Sequence, residues 1–392
     1  MCIIELSKQQ ARKFLLFHHG LYGDYEFSGK EGIISYINRV GCIQFDPLNV
    51  VGKNPELVLQ SRIKSFDKSM LYELLYCERR LLDYWDKNMS IFSVSDWPYF
   101  QRHREGHQHW CDKNQDAVSL VRKEISDKGA LCSGDLEYDE KVNWAWGPTR
   151  LSRAALEGMY HAGQLIIHHK ADTRKFYDLP ERYFSTELIT SSDPNISDED
   201  YICWHVLRRI GSVGLLWNRP SDAWLGIIGL KSSQREKAFE RLIHENKIIE
   251  VRVEGIKHPL YMRNADNDAL KKSLSVTKSN ERSSILAPLD NLLWDRDLIS
   301  ELFDFEYRWE VYKPKTERKF GYYVLPIVYD DKIVARFEPE KHRKNLPFVV
   351  KNWWWESNIV VTNQMKNSII ECLTRFAEYL GAYLQKESLN FD

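Results

Sequence analysis

Apolar residues recur at helical spacing through ELSKQQARKFLLF, residues 5–17, and Ser7 stands where an N-terminal cap belongs. A second helical stretch, residues 32–40, leads into a short dense run, GCIQFDPLNVV at 41–51. A run this short predicts a buried strand, or a strand turning into a loop, with Pro47 ending its ladder of hydrogen bonds. Further on, Leu71, Leu74, Leu75, Leu81 and Leu82 keep a helix-like spacing, which predicts a helix over most of 65–85. Residues 83–110 mix aromatic and polar positions without a clear period.

A fuller pattern then appears, and it appears twice. DAVSLVRKEISDKG predicts a helix, SGDL a short second one, and TRLSRAALEGMYHAGQLI a third with Thr149 as its cap; LIIHHK leaves as a strand. At 199–262 the same order returns: DEDYICWHVLRRIG, a short SDAWLGII, SSQREKAFERLIHENK, then IIEVRVEG and HPLYMR as paired strands. Helix, short helix, helix and strand pair is the order of a winged helix-turn-helix, so the chain is expected to carry an internal duplication. The N-terminal segment is a candidate for a more divergent third copy. The Ser-, Asp- and Pro-rich stretch 190–200 separates the two clear units.

After ILAPLDNLLWDRDLISELF the character changes. EYRWEVYK, GYYVLPIVYD, KIVARFEPE and PFVVKNWWWE predict strands, with Asp330-Asp331 as a hairpin turn, and IIECLTRFAEYLGAYLQKE a closing helix. The expected fold is α+β: tandem winged helices followed by a small C-terminal β-barrel or sheet. The expected boundaries are 1–112 for a helical region with the divergent unit and the 41–51 run, 113–190 and 191–275 for the two clear units, and 276–392 for the strands and closing helix.

Composition narrows the class. Of 392 residues 43% are hydrophobic and 28% charged, which describes a globular chain and not a disordered one. The 13 Trp and 20 Tyr are numerous enough to supply a stacking surface as well as a core. A net charge of −1 does not announce a nucleic-acid binder, but a balanced chain can still carry one basic face. The seven cysteines are odd in number and scattered, so reduced thiols in the cytoplasm are expected. The N-terminus lacks the pattern of a signal peptide, and no apolar run approaches membrane-spanning length.

The candidate chemistry begins with Gln44 and Asp46. Two apart on an extended chain, they project from one face, where a carboxamide and a carboxylate can hold and activate a water. The competing reading is that Asp46-Pro47 starts an ordinary turn. Arg150 and Arg153 open one third helix, Lys231 and Arg235 the other, and such helix starts can hold phosphates. Glu236 and Glu240 dilute the second pair. Basic clusters at 313–320 and 340–345 sit on predicted connections, and His342, Arg343 and Lys344 are placed to track a DNA backbone or enter a groove. His103 and His107 have a metal-ligand spacing with no second ligand cluster, so a solvated helix face is expected there and no metal. GIIGLKSS lacks phosphate-loop spacing, and GxSxG and GxGxxG are absent.

IQFDPLNVV, LLYCERRLLDYW, SVSDWPYF, LAPLDNLLWDRDLI and FEYRWEVYKPKTERKFGYYVLP together resemble the winged-helix DNA glycosylases of the YcaQ/AlkZ type, across nearly the whole chain. The resemblance implies three winged-helix units with a small β-barrel, embracing duplex DNA that carries alkylated bases or crosslinks. It places the family's catalytic motif on Gln44, Phe45 and Asp46 and implies no metal or organic cofactor. It also implies a monofunctional glycosylase acting on N7-alkylguanine-type purines, with interstrand crosslinks as a further candidate substrate. One departure stands out: many relatives carry a His-Glu pair after Tyr84-Trp85, where this chain has Lys87-Asn88. That shifts the expectation toward simple alkylated bases. Nothing in the sequence suggests that Lys87 is desolvated enough to be neutral. The alternative is a non-catalytic winged-helix DNA-binding protein or transcription regulator; such regulators usually dimerise, and no zipper-like segment is present, so a monomer is expected.

Overall fold

The computed structural model describes residues 3–144, 147–276, 281–357 and 359–391. It is a mixed α+β chain in two compact units. The first is Met1–Leu71, Tyr84–Phe92 and Ile202–Asp392; the second is Tyr72–Asp83 and Ser93–Tyr201.

In the first unit, Ser7 caps the helix Lys8–His18 as its sequence predicts: Ser7 Oγ accepts from the Gln10 amide at 3.2 Å and Gln10 Oε1 accepts from the Ser7 amide at 2.9 Å. The helix Gly29–Val40 ends at Gly41, whose φ of 78° turns the chain straight into the strand Cys42–Gln44. The helix Asp198–Val213, one 3₁₀ turn at Asp222–Trp224, the helix Ser232–His244 and an antiparallel pair, Ile248–Val253 with Leu260–Arg263, follow in the expected order. The short helix expected over SDAWLGII contracts to that single turn. The N-terminal strand Ile3–Leu6, which has no sequence signal of its own, pairs in parallel with Ile248–Val253.

The C-terminal strands form an open four-stranded sheet in the order Ser283–Ile285, Leu325–Tyr329, Lys332–Pro339, Val350–Trp355. Asp330, at φ 52°, makes the expected hairpin turn. EYRWEVYK is not a strand. Tyr307 donates its hydroxyl to the Val324 carbonyl (2.8 Å), and Glu310 accepts from the Phe320 amide (3.1 Å) and from Lys313 Nζ (2.8 Å), so side chains hold this segment as a loop. The closing helix runs Asn363–Tyr379, starting and ending earlier than its apolar spacing suggests, with Thr362 Oγ1 accepting from the Met365 amide.

The expected helix over 65–85 is also corrected. It spans Lys68–Tyr76, and Arg79 at φ 54° breaks the path before the strand Leu81–Asp86. Leu81, Leu82 and Tyr84 are buried in that strand, on both of its faces, and a short run buried on both sides carries no period to tell strand from helix.

The second unit holds the 3₁₀ helix Val94–Phe100, the helices Gln101–Lys113 and Gln115–Lys128, the helix Leu151–His161 and the hairpin Ile166–Ala171/Arg174–Asp178. Two expectations fail here. SGDL is a turn, with Asp135 Oδ2 accepting from the Cys132 amide at 2.8 Å, and no helix forms. Thr149 lies in a short strand with Arg150, paired to Lys141–Val142, so Arg150 and not Thr149 occupies the cap position. Gly158 is needed where it is: a Cβ there would lie 2.6 Å from the Trp110 ring.

Among the described residues no helix is long and apolar enough to cross a membrane. Six cysteines are free; Cys2 lies outside the described residues.

Candidate active site

The 41–51 run enters the core of the first unit as a strand and leaves it as a turn. Cys42, Ile43 and Gln44 pair with Phe92, Ile91 and Ser90, and the Phe45 amide donates to the Met89 carbonyl at 2.8 Å. The strand stops at Gln44, so the expected single face holding both side chains gives way to two different settings. Gln44 is 7% exposed. Asp46 is half-buried beyond the strand end, where its Oδ1 accepts from the Leu48 amide at 2.8 Å across Pro47. The turn reading of Asp46-Pro47 therefore holds, and it leaves the second carboxylate oxygen, Oδ2, outside that turn bond. Burial raises the Asp46 pKa above the usual carboxylate value, and the Leu48 N–H opposes that rise.

Buried side chains hold the strand that carries Gln44. Asn54 Nδ2 donates to the Gln44 carbonyl at 2.7 Å, and Asn54 Oδ1 accepts from the Leu289 amide at 3.0 Å. Asn291 Nδ2 donates to the Cys42 carbonyl at 2.9 Å. Asp290, between them, forms a fully buried ion pair with Arg62 at 2.7 Å. The LAPLDN segment is thus bonded directly to the strand that carries Gln44.

Lys87 completes the surroundings. It sits at the tip between the strands Leu81–Asp86 and Asn88–Ser93, only 5% exposed. Its Nζ donates to Gln44 Oε1 at 3.2 Å and lies 4.9 Å from the centre of the Trp294 ring. The structure shows a desolvation of Lys87 that the sequence does not suggest. Its pKa is lowered to about 8: burial is the largest cause, Arg209 adds to it, and Asp222 and Cys42 act the other way. Nothing in the residues around Lys87 announces this, because the burial comes from Trp294 and from the 225–229 loop. Gly226, at φ 85°, lets that loop reach the hairpin tip: a Cβ there would fall 1.9 Å from the Asp86 carbonyl oxygen. GIIGLKSS is therefore a packing loop. Asp86 is held well below its usual pKa: burial pushes it up, and Arg209 and Arg208 overcome that.

A cavity of about 680 Å³ opens beside Val50, walled by Tyr322, Tyr323, Lys341, His342 and Arg343. Burial raises the Tyr323 pKa first, and Tyr307, Asp46 and Glu56 add to it, so the Asp46 charge is felt at this wall. The His342 amide donates to the Val50 carbonyl at 2.9 Å, which ties the 340–345 connection to the Asp46 segment. His342 is half-buried against that contact, whereas Arg343 and Lys344 are exposed. The 313–320 cluster precedes the strand Leu325–Tyr329 and does not join two strands.

The other basic candidates diverge. In the second unit Arg150 and Arg153 are exposed, the first 3.1 Å from Asp139 and the second 3.2 Å from Glu157. Lys231 is exposed, but Arg235 is buried, its Nε bonded to Asn218 Oδ1 at 2.7 Å, and is not available to a phosphate. His103 and His107 stack with ring centres 4.4 Å apart, and His107 Nδ1 contacts the His103 carbonyl. Among the described residues no three His, Cys, Asp or Glu side chains are arranged to hold a metal.

The 41–51 segment thus carries a buried carboxamide at Gln44, a half-buried carboxylate at Asp46 and, at Val50, one edge of an open cavity whose rim includes Lys341, His342 and Arg343. The family model for DNA glycosylase AlkZ-like proteins matches residues 37–379, and the chain belongs to that family of DNA glycosylases. The fold is similar to that of Streptomyces sahachiroi DNA glycosylase AlkZ, with a TM-score of 0.60 at 12% identity over 97% of this chain and 98% of that one.

Proposed function

We propose that the protein is a monofunctional DNA glycosylase that hydrolyses the N-glycosidic bond of purines alkylated at N7, with the base of an interstrand crosslink as a second substrate. The observation that carries this reading is that one short segment, 41–51, holds both Gln44, bonded to Lys87, and Asp46, bonded to the Leu48 amide through only one of its carboxylate oxygens. Lysine in its ammonium form has only donors, so the atom of Gln44 facing Lys87 is the carbonyl oxygen and the amide N–H groups face elsewhere. Gln44 then donates, to the sugar or to water, and Asp46 accepts.

An N7-alkylated purine is cationic and departs without a general acid. As the C1′–N9 bond breaks, its electron pair stays on the purine, which becomes neutral, and positive charge gathers on the sugar. Asp46 stabilises that charge and takes a proton from water as the water oxygen bonds to C1′. The product is an abasic site in an intact strand. Neither Gln44 nor Asp46 is an amine, and the Lys87 Nζ is bonded to Gln44 and covered by Trp294, which supports a reaction without a Schiff base. Arg343, Lys344, Arg150 and Arg153 would hold DNA phosphates, Arg150 and Arg153 from a winged helix in a tandem array, and His342 would steady the connection that bears Arg343 and Lys344. We read the protein as a cytoplasmic monomer.

Incubation with duplex DNA containing N7-methylguanine tests the reading. Release of the free base supports it. Sequence-selective binding without release would make the protein a regulator built on the same units.

A further inference from the structure

We propose that Lys87 is a positioning residue for base excision, holding the Gln44 carboxamide in one of its two orientations so that its N–H groups meet the sugar. This rests on the assignment of Gln44 to the active site above. The geometry is specific. Lys87 reaches Gln44 Oε1 at 3.2 Å from a hairpin tip on which Gly226 is pressed, and Trp294 covers its ammonium. A carboxamide has donors at one end and an acceptor at the other, and rotation by half a turn exchanges them. A cation against one end removes the choice. Asn54 fixes the backbone of Gln44 but does not touch its amide. Lys87 is therefore what selects the orientation of that side chain.

The selection depends on charge. A neutral amine has a lone pair and can accept from the Gln44 N–H groups, so loss of the proton allows the flipped amide. The groups facing Lys87 come from several elements: Arg209 on the helix Asp198–Val213, Asp222 on the 3₁₀ turn, Arg296 at the start of the helix Arg296–Phe303, and Cys42 on the strand beside Gln44. Arg209 and Arg296 favour the neutral amine, Asp222 and Cys42 the ammonium. With a pKa near 8, the lysine loses its proton within the range in which such a reaction is assayed.

The test is a double-mutant cycle on single-turnover release of N7-methylguanine from duplex DNA. Lys87→Met, which keeps the stem and removes the donor, is expected to slow release by about thirtyfold with DNA affinity changed less than about threefold. Gln44→Ala and the double variant Gln44→Ala/Lys87→Met should have the same rate within about twofold, because Lys87 acts only through Gln44. Wild type should lose rate as pH rises through about 8, and Lys87→Arg, which stays charged, should retain activity without that limb. Additive losses in the cycle, or an alkaline limb retained in Lys87→Arg, overturn the proposal. Should Lys87→Met fail to fold, the Lys87→Arg profile decides alone. If wild type releases no base, the assignment of function fails and not this one. The side-chain amide ¹⁵N resonance of Gln44, which must move on Lys87→Arg and on titration through pH 8 if the contact orients it, then settles the positioning role.

Discussion

Lys87 Nζ and Gln44 Oε1 lie 3.2 Å apart between two buried residues, and in the proposed reaction this contact makes Gln44 a donor toward the sugar. Asp46 is left as the acceptor. Gln44→Glu checks that division of labour. The new carboxylate would pair with the Lys87 ammonium and carry no N–H to the sugar. The variant should fold normally and release base at least about tenfold more slowly than wild type, read in single-turnover assays with thermal unfolding as the control.

Arg62 and Asp290 are both fully buried and 2.7 Å apart, with Arg62 also 5.1 Å from the centre of the Tyr36 ring. Removing one partner strands the other. Asp290→Ala should cost about 3–5 kcal/mol in denaturant unfolding. It should also loosen the segment that holds Asn54 and Cys42, so activity should fall even under conditions where the variant is fully folded.

His18 and His19 are buried, each with Nε2 at a carbonyl: Gly211 at 2.8 Å and Val213 at 3.0 Å. Burial lowers the pKa of both, His18 to about 4. The unfolded chain therefore binds more protons than the folded one between pH 6.5 and about 4. Stability should be fully present above pH 6.5 and fall through that window, by on the order of 3 kcal/mol for His18 alone. Urea midpoints at pH 7 and pH 5 measure it, and His18→Phe should flatten the dependence. An equal slope in wild type and variant would assign the acid sensitivity elsewhere.

Arg343 and Lys344 are exposed on the connection that His342 ties to Val50. Alanine at each should weaken binding to damaged and undamaged duplex equally. It should also reduce the slope of log affinity against log salt by about one per lost phosphate contact. An unchanged slope would mean that this connection does not meet the DNA backbone.

Local signals in the sequence were sufficient for much of this fold. Ser7 with Gln10 announces the first helix, and Asp330-Asp331 the hairpin turn, because a cap and a turn depend on neighbours in the chain. The order of elements at 199–262 was equally legible. Features set by distant partners were not. EYRWEVYK alternates like a strand but is held as a loop by Glu310 and Tyr307. Leu81 and Leu82 extend a helical period into what is a strand. At the site, Gln44 and Asp46 stand out on type and spacing. The burial of Lys87 depends on Trp294, some two hundred residues away, and on a glycine whose need for a positive φ is invisible until Asp86 is placed beside it. The resemblance to a glycosylase family marked Lys87 as unusual without indicating what it touches.

In the proposed reaction Asp46 performs the chemistry. The most direct measurement is single-turnover release of N7-methylguanine by wild type and Asp46→Asn, with duplex affinity measured on the same samples. Asparagine can still accept from the Leu48 amide, so the turn should persist. We expect release to fall at least about a hundredfold while affinity stays within about threefold. Release at the wild-type rate in Asp46→Asn would remove Asp46 from the chemistry.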